Sequence, residues 1–203
     1  MWPVLSPCRE RQSFDLAMNL FDQFQTALPY HDFLTRYGSE EHQRRWRDFH
    51  AQVKLTPAQQ ELLSSFKREM NVLVMAGAWC GDCVQQCPIF EHFAAAAPVI
   101  KTRYVDRDAD EALKRELSIM GGARVPMVVC FSEEGFEAGR FGDRTLSKYR
   151  QLAQAQLGPT CPTGLVAPPT ELIASVTHDW LEIFERMQWM LRLSPRLREK
   201  HGD

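Results

Sequence analysis

Cys80 and Cys83 stand two residues apart in the run Trp79-Cys80-Gly81-Asp82-Cys83, a spacing at which two thiols can close and reopen a small disulfide. Such exchange needs an exposed thiolate of lowered pKa and a second thiol that releases the mixed disulfide. A free cysteine titrates at about 8.5, and the start of a helix pulls that value down. Cys80 is the residue placed to attack, and Cys83, one turn further in, the one to resolve. Gly81 lets the backbone turn tightly between them. Asp82 acts in two directions: its charge suits a helix N-terminus but opposes a neighbouring thiolate. The helix effect should dominate, leaving Cys80 less acidic than a neutral spacer would. Trp79 adds an aromatic wall, with an indole N–H available to orient an acidic neighbour.

The elements around this run must hold it in place. Residues 71–76 are apolar and of strand length, and 84–97 can form a helix, so Cys80 falls where free backbone N–H groups point outward. Upstream, Phe14, Met18, Phe21, Phe24 and Leu28 recur at helical spacing over 13–28. A second helical stretch carries Phe33, Tyr37, Trp46 and Phe49, with Gly38-Ser39 as a candidate break. Its aromatics read as core contacts, and His31, His42 and His50 as solvated or capping groups. Thr56, Pro57 and Gln59 together mark a helix start, and that helix should run to about Met70.

Downstream, strands are expected over 99–105, 127–131 and near 136–138, with helices over 109–117 and 144–157. Strand, helix, strand, helix, hairpin and helix make a compact sheet covered on two faces. Val125-Pro126 sits immediately before the central strand. A cis bond there would turn the Val125 backbone towards Cys80 and let it pair with an incoming peptide. Arg124, the residue before, is either a solvated surface charge or a counter-ion for Asp82. Beyond an irregular connector at 158–169, a long helix starts near Thr170. Its stripe of Ile173, Val176, Trp180, Phe184, Met187 and Leu191 is expected to dock on the chain's own sheet domain or amino-terminal helices, a dimer seam being the other reading. Arg192, Arg196, Arg198 and Lys200 read as a solvated helix end.

Composition narrows the classes. The 203 residues carry 24 Lys plus Arg against 26 Asp plus Glu, a formal charge of -2, so no overall field favours nucleic acid. No apolar run approaches the roughly 20 residues of a membrane span, and the first residues lack a basic segment followed by an apolar one. The six cysteines, at 8, 80, 83, 87, 130 and 161, are too unevenly spread for a disulfide scaffold, which favours a reducing, cytoplasmic setting. A metal site on Cys80, Cys83 and Cys87 would need a fourth ligand that no short-spaced second pair supplies. No metal and no cofactor are therefore expected. Cys87 reads as a buried free thiol or a secondary resolving thiol.

Trp79-Cys80-Gly81-Asp82-Cys83, the helix-kinking Pro88, Val125-Pro126 and the Gly135 hairpin together resemble the thioredoxin family over roughly 71–157. The resemblance implies an α/β, three-layer thioredoxin-like fold: a mixed four-stranded sheet with helices added at both ends. In that scheme residues 1–55 are a helical extension, 56–157 the thioredoxin-like domain, and 158–203 a connector and helix packed on it. It implies Cys80 as nucleophile, Cys83 as resolving thiol, and Pro126 as the cis proline beside them. Trp79, Val125 and Pro126 would meet the substrate; Gly81, Asp82, Pro88 and Arg124 would support the pair. The implied activity is thiol–disulfide exchange, most simply reduction of a protein or small-molecule disulfide with electrons from an unidentified donor. Two departures stand out. The common Gly-Pro spacer is Gly-Asp here, and the family's buried acid, six positions before the first cysteine, falls on Val74. The second removes the usual proton acceptor for Cys83 and implies a slower or narrower task. A thioredoxin-like binding or structural module with little turnover is the rival reading, and the oligomeric state is open.

Overall fold

The computed structural model describes residues 18–157 and 172–203. The N-terminal part of the first expected helix, with Phe14 and Cys8, lies outside them, as do the 158–169 connector, Cys161, and the expected helix start at Thr170.

The sheet is built on β1 (Met70–Ala76), every residue of which is buried. A strand buried along its whole length needs apolar side chains on both faces, and Val72, Leu73, Val74 and Met75 provide them. β2 (Ile100–Asp106) runs parallel to β1, and β3 (Met127–Ser132) antiparallel on its other side. β4 (Glu137–Gly142) pairs antiparallel with β3, giving the order β2-β1-β3-β4. The expected mixed four-stranded sheet is therefore present, and Val74 is fully buried in it. The β3–β4 hairpin turns on Gly135, whose φ of 81° is open to glycine at little cost.

Helices cover the sheet. The aromatic-rich stretch divides at Gly38-Ser39 into α2 (Tyr30–Tyr37) and α3 (Glu40–His50), where the Ser39 hydroxyl accepts from the His42 N–H. α1 (Leu20–Thr26) precedes them and packs on β1. Tyr30, Phe33 and Trp46 meet Tyr104 of β2 as a ring cluster, which confirms their place in the core. α4 (Pro57–Ser64) opens with the reciprocal cap of Thr56 and Gln59 but stops at Ser64, short of the expected Met70. Met70 belongs to β1 instead, because its backbone is taken up by pairing with Ile100 and Ser132.

α5 (Gly81–Ala96) carries Pro88 in its interior, and α6 (Glu111–Glu116) is a short helix capped by Asp110. α7 (Leu146–Leu157) and α8 (Leu172–Leu193) follow β4. The apolar stripe of α8 is buried from Val176 to Leu191: Trp180 meets Phe90 edge-on at 4.8 Å, and Phe184 stacks on the same ring at 5.5 Å. Those contacts seat α8 on α5, as its periodicity implied. α9 (Pro195–His201) ends the chain. Here the tail departs from a merely solvated helix end. Arg196 pairs with Glu134, and Lys200 with Glu133, both in the β3–β4 turn, while Arg192 and the buried Arg68 pair with Asp203. No helix among the described residues is long and apolar enough to cross a membrane.

Candidate active site

Cys80 is the residue immediately before α5, at the position where the chain leaves β1 and its turn and enters the helix. Two buried anchors shape that approach. The Trp46 indole N–H donates to the Ala78 carbonyl at 2.8 Å, tying α3 to the turn. Gly77 lies under the Trp79 ring, where a Cβ would stand 2.7 Å from the indole; only glycine lets the ring fold back this closely. Trp79 remains 45% exposed. Its face is covered by the Arg107 guanidinium, 4.6 Å from the ring centre. The expected partner of Trp79 was an acid on its N–H; the observed one is a cation on its ring.

The Cys80 and Cys83 thiols are both free and buried, at 8% and 0% exposure. Cys83 Sγ accepts from the Gly77 N–H at 3.5 Å, and Cys80 Sγ lies 3.6 Å from the Val125 carbonyl oxygen. The Val125-Pro126 bond is cis, as expected. The strand β1 and the loop before β3 thus bring the cysteine pair and the proline together from positions more than 40 residues apart.

Electrostatics at Cys80 run against the sequence expectation. The adjoining Cys83 thiol, then burial, push the Cys80 thiol up from its ordinary value, and the backbone N–H groups of Cys83 and Asp82 oppose that rise without cancelling it. Burial likewise pushes Cys83 well up, while the Gly77 N–H and the Cys80 thiol favour its thiolate. The physical reason is that two thiols share one poorly solvated site and cannot both ionise. The helix N-terminus alone does not decide the matter.

Asp82 is held by Arg144, whose Nε and Nη2 lie 2.9 and 2.7 Å from one carboxylate oxygen. Arg124, the candidate counter-ion, instead faces Asp143 at 3.5 Å. Asp143 is the buried centre of a polar network: its carbonyl accepts from Gln86 Nε2 at 3.0 Å, and its carboxylate from the Tyr149 hydroxyl and from Arg144 Nη1. Burial works against this carboxylate, but the Tyr149 hydrogen bond, the backbone N–H of Asp143 and the two arginines together more than offset it and hold its pKa below the usual range. Gln86 also accepts from the Trp180 indole N–H at 2.9 Å, which ties α8 into the site. Sequence reasoning assigned no site role to Arg144, Asp143 or Gln86, and marked Trp46 only as a core contact. Only the i, i+4 spacing of Asp82 and Gln86 was a local signal, seen here as Gln86 Nε2 donating to the Asp82 carbonyl at 3.2 Å.

A cleft of about 440 Å³ opens beside the site, with Met127, Arg144 and Trp180 in its wall. Cys87 is buried one turn beyond Cys83 on α5, and Cys130 is buried on β3. Among the described residues, no cluster of three or more His, Cys, Asp or Glu side chains is placed to hold a metal ion.

A family model described as Thioredoxin matches residues 28–155. No curated protein matches the chain. Among solved structures, a protein of unknown function from Pseudomonas aeruginosa is similar with a TM-score of 0.66 at 18% identity, over 84% of this chain and 96% of that one. An HIV epitope-scaffold is similar with a TM-score of 0.57 at 19% identity, over 92% of this chain and 99% of that one. Identities at this level speak to the fold alone.

Proposed function

This chain belongs to the thioredoxin family, and from that premise we propose that it carries out dithiol–disulfide exchange at Cys80 and Cys83. The observation that carries the reading is the meeting of two free, closely spaced thiols with the Val125 carbonyl, 3.6 Å from Cys80. In the reducing direction the Cys80 thiolate attacks one sulfur of a substrate disulfide. A Cys80–substrate bond forms, and the other substrate sulfur leaves and takes a proton. The Cys83 thiolate then attacks Cys80 Sγ, the mixed disulfide breaks, and the second substrate thiol departs. The protein ends oxidised by two electrons as a Cys80–Cys83 disulfide, and the substrate ends reduced by two. An external dithiol closes the cycle. Protein or small-molecule disulfides are the proposed partners.

A second reading has its own support. The neighbouring thiol and burial push Cys80 up, and the buried Val74 leaves β1 with no acid to take the Cys83 proton. Both features favour a thioredoxin-fold binding or structural module of little turnover. Reduction of insulin by dithiothreitol separates the two. The exchange reading expects the protein to accelerate precipitation and the Cys80→Ser variant to lose the acceleration. Equal rates for the two proteins would favour the module.

A further inference from the structure

Charged and titratable groups reach the mouth of the cysteine pair from five elements. Asp82 and Cys83 share α5 with it. From α3, Arg45 places its Nη2 3.9 Å from where a Cβ on Gly81 would stand. After β2, Arg107 lies over Trp79 and is itself paired with Asp108 at 2.8 Å. Before β3, Arg124 faces Asp143. After β4, Asp143 and Arg144 complete the set. Among the described residues, Arg144 is the cation that pairs with Asp82. Its Nη1 is bound at the same time to Asp143, which Gln86 and Tyr149 fix in place. The Arg144 guanidinium is thus clamped between two carboxylates, one of them inside the Cys-Gly-Asp-Cys run.

We propose that Arg144 is a positioning residue that acts on Cys80 through Asp82, cancelling the spacer carboxylate and holding it in place against the buried Asp143. The inference rests on Cys80 being the reactive thiol. Free N–H groups in the first turn of α5 favour a thiolate at Cys80, and a carboxylate two residues away opposes it. With Arg144 on Asp82, that opposition is neutralised at its source. Asp82 and Arg144 then form a pair whose two members bias Cys80 in opposite directions, so removing either tips the balance at the thiol.

The test is the rate of iodoacetamide alkylation at Cys80, followed by peptide mass spectrometry across pH 6–10. Below its pKa a thiol alkylates in proportion to its thiolate fraction, so the rate reads the ionisation directly. Arg144→Gln leaves Asp82 unopposed and should slow alkylation at neutral pH by about three- to tenfold, the size expected of one nearby charge screened by solvent. Asp82→Asn removes the spacer charge while Arg144 stays paired with Asp143, and should speed it by a similar factor. The double variant should return to within about twofold of the parent, and Arg144→Lys should retain most of the parent rate. A structural role for Arg144 would slow the Arg144→Gln protein equally whether residue 82 is Asp or Asn, and that outcome would overturn the proposal. Changes of the same sign in both single variants, or no change in either, would overturn it too. Should Arg144→Gln fail to fold, an Asp82→Asn rate equal to the parent's would still do so. Alkylation needs no turnover, so opposed shifts in a protein inactive on insulin would keep this inference and remove the exchange reading. Activity without opposed shifts would do the reverse.

Discussion

The Trp180 indole N–H donates to Gln86 Oε1 at 2.9 Å, and both side chains are almost wholly buried. With the ring contacts on Phe90, this bond joins the long helix α8 to α5, the helix that carries the cysteine pair. Through Gln86 Nε2 it continues to the carbonyl of Asp143 and so to Arg144 and Asp82. The added helix is therefore a wall of the site, and its loss would be felt at the cysteines.

Replacing Trp180 by Phe keeps most of the ring packing on Phe90 and Phe184 but leaves the Gln86 oxygen buried without a donor. An unpaired buried polar atom costs about 1–3 kcal/mol. Urea unfolding of the Trp180→Phe protein should show an unfolding free energy lowered by that amount, read as a lower midpoint with an unchanged slope. A midpoint equal to the parent's would mean that the bond contributes nothing to holding α8.

The thiol pair should titrate as a unit. Because Cys83 is the largest influence pushing Cys80 up, its removal should bring the Cys80 titration down. Alkylation of Cys80 in the Cys83→Ala protein should therefore be faster at neutral pH than in the reduced parent, with its midpoint moved to lower pH. An unmoved midpoint would show that the helix terminus, and not the second thiol, governs Cys80, and one that moves up would show that the Cys83 thiol stabilises the Cys80 thiolate.

Stability of the reduced protein should fall at high pH. Burial, with a smaller contribution from Glu137, pushes the Cys130 thiol up to about 12, whereas an unfolded cysteine loses its proton near 8.5. Between those values the folded chain binds the extra proton, so its stability is fully present below about 8.5 and drains away as pH rises towards 12. One such group gives a slope of about 1.4 kcal/mol per pH unit. Unfolding free energies of the parent and the Cys130→Ala protein, measured from pH 8 to 11, should converge as pH rises. Parallel lines would contradict the assignment.

Much of the fold was legible because its signals are local. The unbroken apolar run of β1, the Thr56–Gln59 cap, the break at Gly38-Ser39 and the stripe on α8 each declare themselves within a few residues. The cysteine pair and Pro126 were legible for the same reason. What the sequence hid was choice of partner. Arg124 and Arg144 are alike as residues, and only the path of the chain after β4 brings the second onto Asp82, 62 positions away. The basic tail looked solvated because Glu133 and Glu134 lie far upstream and meet it only once the β3–β4 turn is formed. The burial of Cys80 was hidden likewise, since it depends on Val125 approaching from another loop.

Trapping the mixed disulfide tests the central claim most directly. The Cys83→Ser protein should attack a disulfide-bonded peptide through Cys80 and, lacking the resolving thiol, hold half of it as a covalent adduct. Mass spectrometry after digestion should place that adduct on Cys80, with none on Cys87 or Cys130, and Cys80→Ser should abolish it. An adduct located elsewhere, or equal adduct in the Cys80→Ser control, would contradict the assignment of Cys80 as the attacking thiol.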